Sequence, residues 1–208
     1  DGSRNRKIRP GQPGHLDAST NIEKREIPDA NMLTRAMGDV HAQGNPHYLL
    51  DPLNARQVAG AIAERLAQLD PANANAYRAN ASAFMDQIDR RMKEWTAKME
   101  PLEGTAIVTY HKSWVYFCNR FGIAVAIELE PKPGVPPSPA HLARVIGKVG
   151  ADGIGIILQE PWYSTKAARR VAEKTGARVV TAPIFTGGDA NAGDYIALID
   201  LVVRRLTE

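Results

Sequence analysis

His111 ends the run Thr105-Ala-Ile-Val-Thr-Tyr110, and its setting defines what chemistry it can do. Ile107 and Val108 are β-branched and apolar, as in a buried strand. After His111, the residues Trp114, Val115, Phe117, Cys118 and Phe121 recur at helical spacing up to Gly122, which reads as a helix C-cap. An imidazole at such a strand-to-helix turn lies on the carboxyl edge of a parallel sheet, where turns and helix N-termini open onto a crevice. Three other residues have the chemistry to join it. His47 sits in a polar loop, with Pro46 and Pro52 on either side favouring a rigid presentation. Glu160 follows the apolar run 154–158, and Asp194 opens the last helical pattern. Imidazole with carboxylate is the donor set of Zn²⁺ or Mn²⁺. Each residue also has an ordinary role: a turn histidine makes local hydrogen bonds, an aspartate before a helix caps it, and a glutamate supports a turn.

The elements that must position these groups follow from periodicity. Residues 1–45 carry only short apolar pieces, such as Ile22, Ile27 and the stretch 31–37, and predict loops with at most a short strand and a turn of helix. From Leu53, a stripe of Val58, Ile62, Leu66 and Leu69 predicts a helix that ends at Asp70-Pro71, read as the N-cap and first position of the next. In that next helix Tyr77, Ala81, Phe84, Ile88, Met92, Trp95 and Met99 recur at spacings of three and four. Spanning 71–99, it would run roughly 40 Å, long enough to act as a spine between two lobes. Strands are then expected at 105–110, 123–129, 154–158 and 177–182, and helices at 113–121, 139–149, 164–175 and 194–206. That alternation predicts an α/β fold with a parallel sheet covered on both faces. The domain reading is a remnant of an N-terminal lobe at 1–70, a linking helix at 71–100 and a C-terminal α/β lobe at 101–208.

Composition bounds the function class. The chain has 208 residues, 44% of them hydrophobic and 24% charged, enough for a sizeable core, and no apolar run long enough to span a bilayer. A net charge of +3 is mild, and the basic run at Arg4, Arg6, Lys7 and Arg9 lacks interleaved aromatics, so nucleic acid is not an indicated partner. Cys118 is the only cysteine, which excludes an intrachain disulfide and suits a small core residue.

Four blocks together carry a family resemblance: Asn45-Pro-His47-Tyr-Leu-Leu-Asp-Pro52; Thr109-Tyr-His111 with Tyr116-Phe117 and Phe121-Gly-Ile123; Glu160-Pro161; and Gly193-Asp-Tyr195. In order and spacing they resemble the metal-binding solute-binding proteins of ABC transporters, the TroA-like zinc and manganese receptors. The resemblance implies two α/β lobes joined by a rigid helix, with one ion held between them. It implies His47 as a ligand from the first lobe, His111 and Asp194 as ligands from the second, and Glu160 as a group orienting a ligand or supporting the fold. Manganese receptors of that family tend to have glutamate where His111 stands, so the extra imidazole favours zinc, with manganese second. Such a site is expected to lose its ion below about pH 6 as the histidines protonate. The implied function is capture of the ion outside the cytoplasm, in the periplasm or from a lipid anchor, for delivery to an ABC permease.

The family's first lobe begins with a strand ending in a further histidine ligand. His15 and His41 are not at that position, so the chain resembles an N-terminally truncated member, whose uncovered surface would favour self-association. Two other readings stand beside the receptor: a metal-dependent hydrolase or chelatase with Asp194 or Glu160 as general base, and a surface adhesion protein on the same fold.

Overall fold

Four short strands, β1 (Ala106–Thr109), β2 (Ala124–Glu128), β3 (Ile156–Gln159) and β4 (Arg178–Thr181), form one parallel sheet in the order β2-β1-β3-β4. The computed structural model describes residues 4–29 and 41–208, and the apolar stretch 31–37 lies outside them. The helices are α1 (Pro52–Leu69), α2 (Ala74–Met99), α3 (Val115–Arg120), α4 (Pro139–Asp152), α5 (Lys166–Thr175) and α6 (Tyr195–Thr207). Among the described residues, 4–29 hold turns and one short 3₁₀ turn at Arg6–Ile8, and no strand.

The two-residue period of the strands divides the core into two layers. Ile107 packs on one face with Trp95 and Met99 of α2, Phe117 of α3 and Ile199 and Leu206 of α6. Its neighbour Val108 packs on the other, with Leu142 and Val145 of α4 and Val171 of α5. The sheet is therefore covered on both faces, as the alternating pattern predicts. The chain runs from β1 outward to β2 on one side, then returns to place β3 and β4 on the other. The topological switch point thus lies between the carboxyl ends of β1 and β3, the ends that carry His111 and Glu160.

Local chemistry sets the helix ends. Asp51 caps α1 by accepting from the Leu53 N–H at 2.9 Å, and Ser138 caps α4 through the His141 N–H at 3.2 Å, with Pro139 at the first position. Gly176, at φ 78°, ends α5 in the left-handed conformation that side chains disfavour. Asp70 behaves differently from the expected N-cap. Its carboxylate accepts from the Asn73 amide and the Tyr77 hydroxyl, each at 2.8 Å, a 3₁₀ turn occupies Pro71–Asn73, and α2 begins at Ala74.

The stripe on α2 is as read: Ile88, Trp95 and Met99 are buried and Tyr77, Ala81, Phe84 and Met92 half-buried. The stripe on α1 holds only at Val58, which packs with Ile22 and Tyr116. Ile62, Leu66 and Leu69 are 43%, 38% and 48% exposed, whereas Ala55, Val58, Ala63 and Ala67 are buried. The physical reason is helix pairing. Ion pairs Arg56–Asp89 and Arg78–Glu64 match the start of one helix to the end of the other, so α1 and α2 lie antiparallel. The buried side of α1 is its small-residue face, which lets helix axes approach closely, and the larger apolar residues point away from the core.

Candidate metal centre

The sheet ladder continues past the carboxyl ends of β1 and β2 and sets His111 beside Glu130. The Leu129 N–H donates to the Thr109 carbonyl at 2.8 Å and the Glu130 N–H to the Tyr110 carbonyl at 3.0 Å, while the Tyr110 N–H donates to Leu158 at 2.8 Å. His111 then opens the 3₁₀ turn Lys112–Trp114 in extended conformation, and its Nδ1 meets Glu130 Oε2 at 2.7 Å. In a neutral His111 ring, a proton on Nδ1 donated to Glu130 leaves the Nε2 lone pair as the donor available to an ion.

His47 comes from a separate part of the chain and is brought to the same place. Its ring lies 5.6 Å from that of His111, centroid to centroid, at an interplanar angle of 86°. Burial pushes the His47 imidazole down from its ordinary 6.5 to about 4, with the positive charges of His111 and His41 adding to the effect and Glu26 opposing it. His47 is therefore neutral, with a free lone pair, well below neutral pH. For His47 this places protonation below the expected pH of about 6, because the low-dielectric setting disfavours the charged ring. Both rings line a cavity of about 500 Å³ together with Glu26, His41, Asn45 and Lys112.

The segment around His47 is held against the His111 unit by a set of side chains. Arg120 of α3 forms a two-pronged ion pair with buried Asp51, at 2.7 Å for each contact, and Tyr195 of α6 donates to the Leu49 carbonyl at 2.7 Å. The Tyr116 hydroxyl donates to the Asn45 carbonyl at 3.1 Å. His47 thus belongs to a fixed frame rather than a free loop.

The two carboxylates singled out in the sequence have different settings. Asp194 is exposed and caps α6, accepting from the Ala197 N–H at 2.8 Å. Among the described residues, no group of three or more His, Cys, Asp or Glu side chains is placed to hold an ion, so the structure joins His47 to His111 without adding Asp194 to them. Glu160 is fully buried at the end of β3, and neither of its oxygens has a well-formed hydrogen bond. Burial pushes its carboxyl up, countered in part by the neighbouring Ser113 hydroxyl and the charge of His111. The group that orients His111 is Glu130. The strand it follows is legible in the sequence, and side-by-side carboxyl ends follow from a parallel sheet, but the strand order that makes β2 the neighbour of β1 has no local signal.

An aromatic run leads away from the centre. Tyr163 stacks on Tyr110 at 4.0 Å and lies 6.4 Å from His111, and Trp162 and Phe185 stack at 5.4 Å while about half exposed.

Comparison with known proteins bears on this arrangement. The family model for ZnuA, described as zinc-uptake complex component A, periplasmic, matches residues 5–208. The high-affinity zinc uptake system protein ZnuA of Paracoccus denitrificans (strain Pd 1222) is 31% identical over 157 residues, which are 74% of this chain and 48% of that protein. A crystal structure of ZnuA superposes with a TM-score of 0.74 at 25% identity, covering 92% of this chain and 67% of the other. The Mn²⁺ complex of the solute-binding protein FpvC from Pseudomonas aeruginosa has a TM-score of 0.67 at 28% identity, covering 77% and 60%. The chain spans about half the length of the curated relatives it matches.

Proposed function

Because the chain belongs to the ZnuA family, we propose that it captures a divalent transition metal, zinc in preference to manganese, as the receptor of an ABC import system. The observation that carries this reading is the pair of imidazoles 5.6 Å apart in one cavity, one kept neutral by burial and the other oriented by Glu130. Imidazole nitrogens suit zinc better than the harder manganese ion, which prefers oxygen. The ion is cargo, and the protein's part is to hold it. Asp194 as a further ligand belongs to the same proposal; its Oδ1 accepts from the Ala197 N–H, and its second oxygen takes no part in that bond.

A binding protein fits the site better than a hydrolase does. Of the two carboxylates on which a general base would rest, Asp194 caps a helix and Glu160 is fully buried. Its partner is the membrane permease of that system, and the receptor works in the periplasm, free or lipid-anchored. No helix of the described residues is long and apolar enough to cross a membrane. The lobe division, with 1–70 in one lobe, 71–100 connecting and 101–208 in the other, is supported by the 26-residue α2. Self-association is supported by exposed Ile62, Leu66 and Leu69 on α1.

Competitive titration against a chromophoric chelator tests the metal preference. Zinc is expected to bind at least about tenfold more tightly than manganese. Equal affinities, or a preference for manganese, would overturn the assignment.

A further inference from the structure

Asn45 touches the backbone of both histidine-bearing turns. Its Oδ1 accepts from the His47 N–H at 2.9 Å, and its Nδ2 donates to the carbonyl of Lys112, the residue after His111, at 2.7 Å. The other amide proton goes to Glu26 Oε2 at 2.7 Å, while Glu26 Oε1 accepts from Lys112 Nζ at 2.6 Å. One side-chain amide therefore joins two turns 67 residues apart in the chain, and Glu26 braces it from the cavity side. Among the described residues Glu26 is the non-glycine residue with positive φ, 51°, a conformation that its two side-chain contacts repay.

Resting on the metal-receptor reading, we propose that Asn45 is a positioning residue for metal capture, setting the separation of His47 and His111 so that both imidazoles reach one ion. Asn45 does not itself touch the ion. Metal–nitrogen distances tolerate only about 0.2 Å of error, and no covalent link near either histidine sets their spacing. A local turn residue would need only the His47 N–H contact, which makes an Asx turn. The donation to Lys112 serves no local turn. It crosses to the turn that carries His111. The frame itself does not depend on this side chain, since Tyr116 holds the Asn45 carbonyl and Arg120 holds Asp51.

The test is zinc affinity by competitive titration, with thermal unfolding in parallel, for the unaltered chain, Asn45→Ala, Asn45→Ser, His47→Ala, His111→Ala and the double variant His47→Ala/Asn45→Ala. Serine keeps a short acceptor for the His47 N–H but cannot reach Lys112. Both Asn45 variants are expected to weaken zinc binding by about 10–100-fold. In the His47→Ala background the loss of Asn45 should cost less than about twofold, because the spacing of a missing ligand no longer matters. Retained affinity in Asn45→Ala or Asn45→Ser, or an undiminished loss in the His47→Ala background, would overturn the positioning role while leaving the receptor reading intact. Zinc binding unaffected by both His47→Ala and His111→Ala would remove the receptor reading and this proposal with it.

Discussion

Replacing His47 by glutamine should change how the metal-free protein responds to acid. In the unfolded chain the ring takes up a proton as pH falls through about 6.5, whereas in the folded chain burial holds protonation off until about 4. Between these values the unfolded state binds the extra proton, so folding free energy is lost as pH falls through that window and the loss is complete below about 4. A displacement of about 2.5 units at 1.36 kcal/mol each sets a ceiling of about 3 kcal/mol. The ring keeps some solvent contact in the cavity, so about 1–2 kcal/mol is the working figure. Urea unfolding at about pH 7.5 and about pH 4.5, in the presence of chelator, measures it. His47→Gln should lose less stability than the unaltered chain between the two conditions, by that amount, since titrations common to both chains cancel. An equal or larger acid loss in the variant would show that His47 is not held neutral by its surroundings.

Glu160→Gln should stabilise the metal-free protein near pH 7, because burial penalises the charged carboxylate, and the gain should shrink as acid protonates Glu160; a net loss at neutral pH in the same urea assay would contradict this. Trp95→Ala removes a buried indole from the core and breaks its 2.7 Å hydrogen bond to Asp200, and should cost about 3–5 kcal/mol, whereas Lys93→Ala on the exposed side of α2 should stay within about 0.5 kcal/mol. Equal denaturation midpoints for those two variants would show that α2 is not packed as described. Cys118 is buried and its thiol is pushed up to about 12, so a thiol reagent should modify it only as fast as the chain opens, and rapid labelling of the native protein would refute that burial.

What was legible in the sequence was local. β-Branched runs such as Ile107-Val108, caps such as Ser138-Pro139 and the three-four spacing from Tyr77 to Met99 each specify an element within a few residues, and the strands and α-helices from Pro52 onward stand where those signals do, except that α2 begins at Ala74 rather than Pro71. The parallel sheet followed from alternation alone. Features set by long-range pairing were not legible. Ala55, Ala63 and Ala67 of α1 are buried in a fold that pairs α1 with α2, and nothing in α1 itself distinguishes them from the larger residues beside them. Glu130 meets His111 because β2 is the neighbour of β1, and Asn45 meets Lys112 across 67 residues of chain. The proximity of His47 to His111 came from resemblance rather than from spacing. Its physical basis, the Asp51–Arg120 pair and the hydroxyls of Tyr116 and Tyr195, became visible only in the fold.

The central claim is that one ion binds both His47 and His111, and zinc K-edge X-ray absorption of the zinc-loaded chain tests it most directly. Imidazole rings give outer-shell scattering that carboxylate and water do not. The account predicts a spectrum with at least two imidazole donors at about 2.0–2.1 Å, falling by one in His47→Ala and by one in His111→Ala. A spectrum of oxygen donors alone, or imidazole scattering unchanged in both variants, would contradict it.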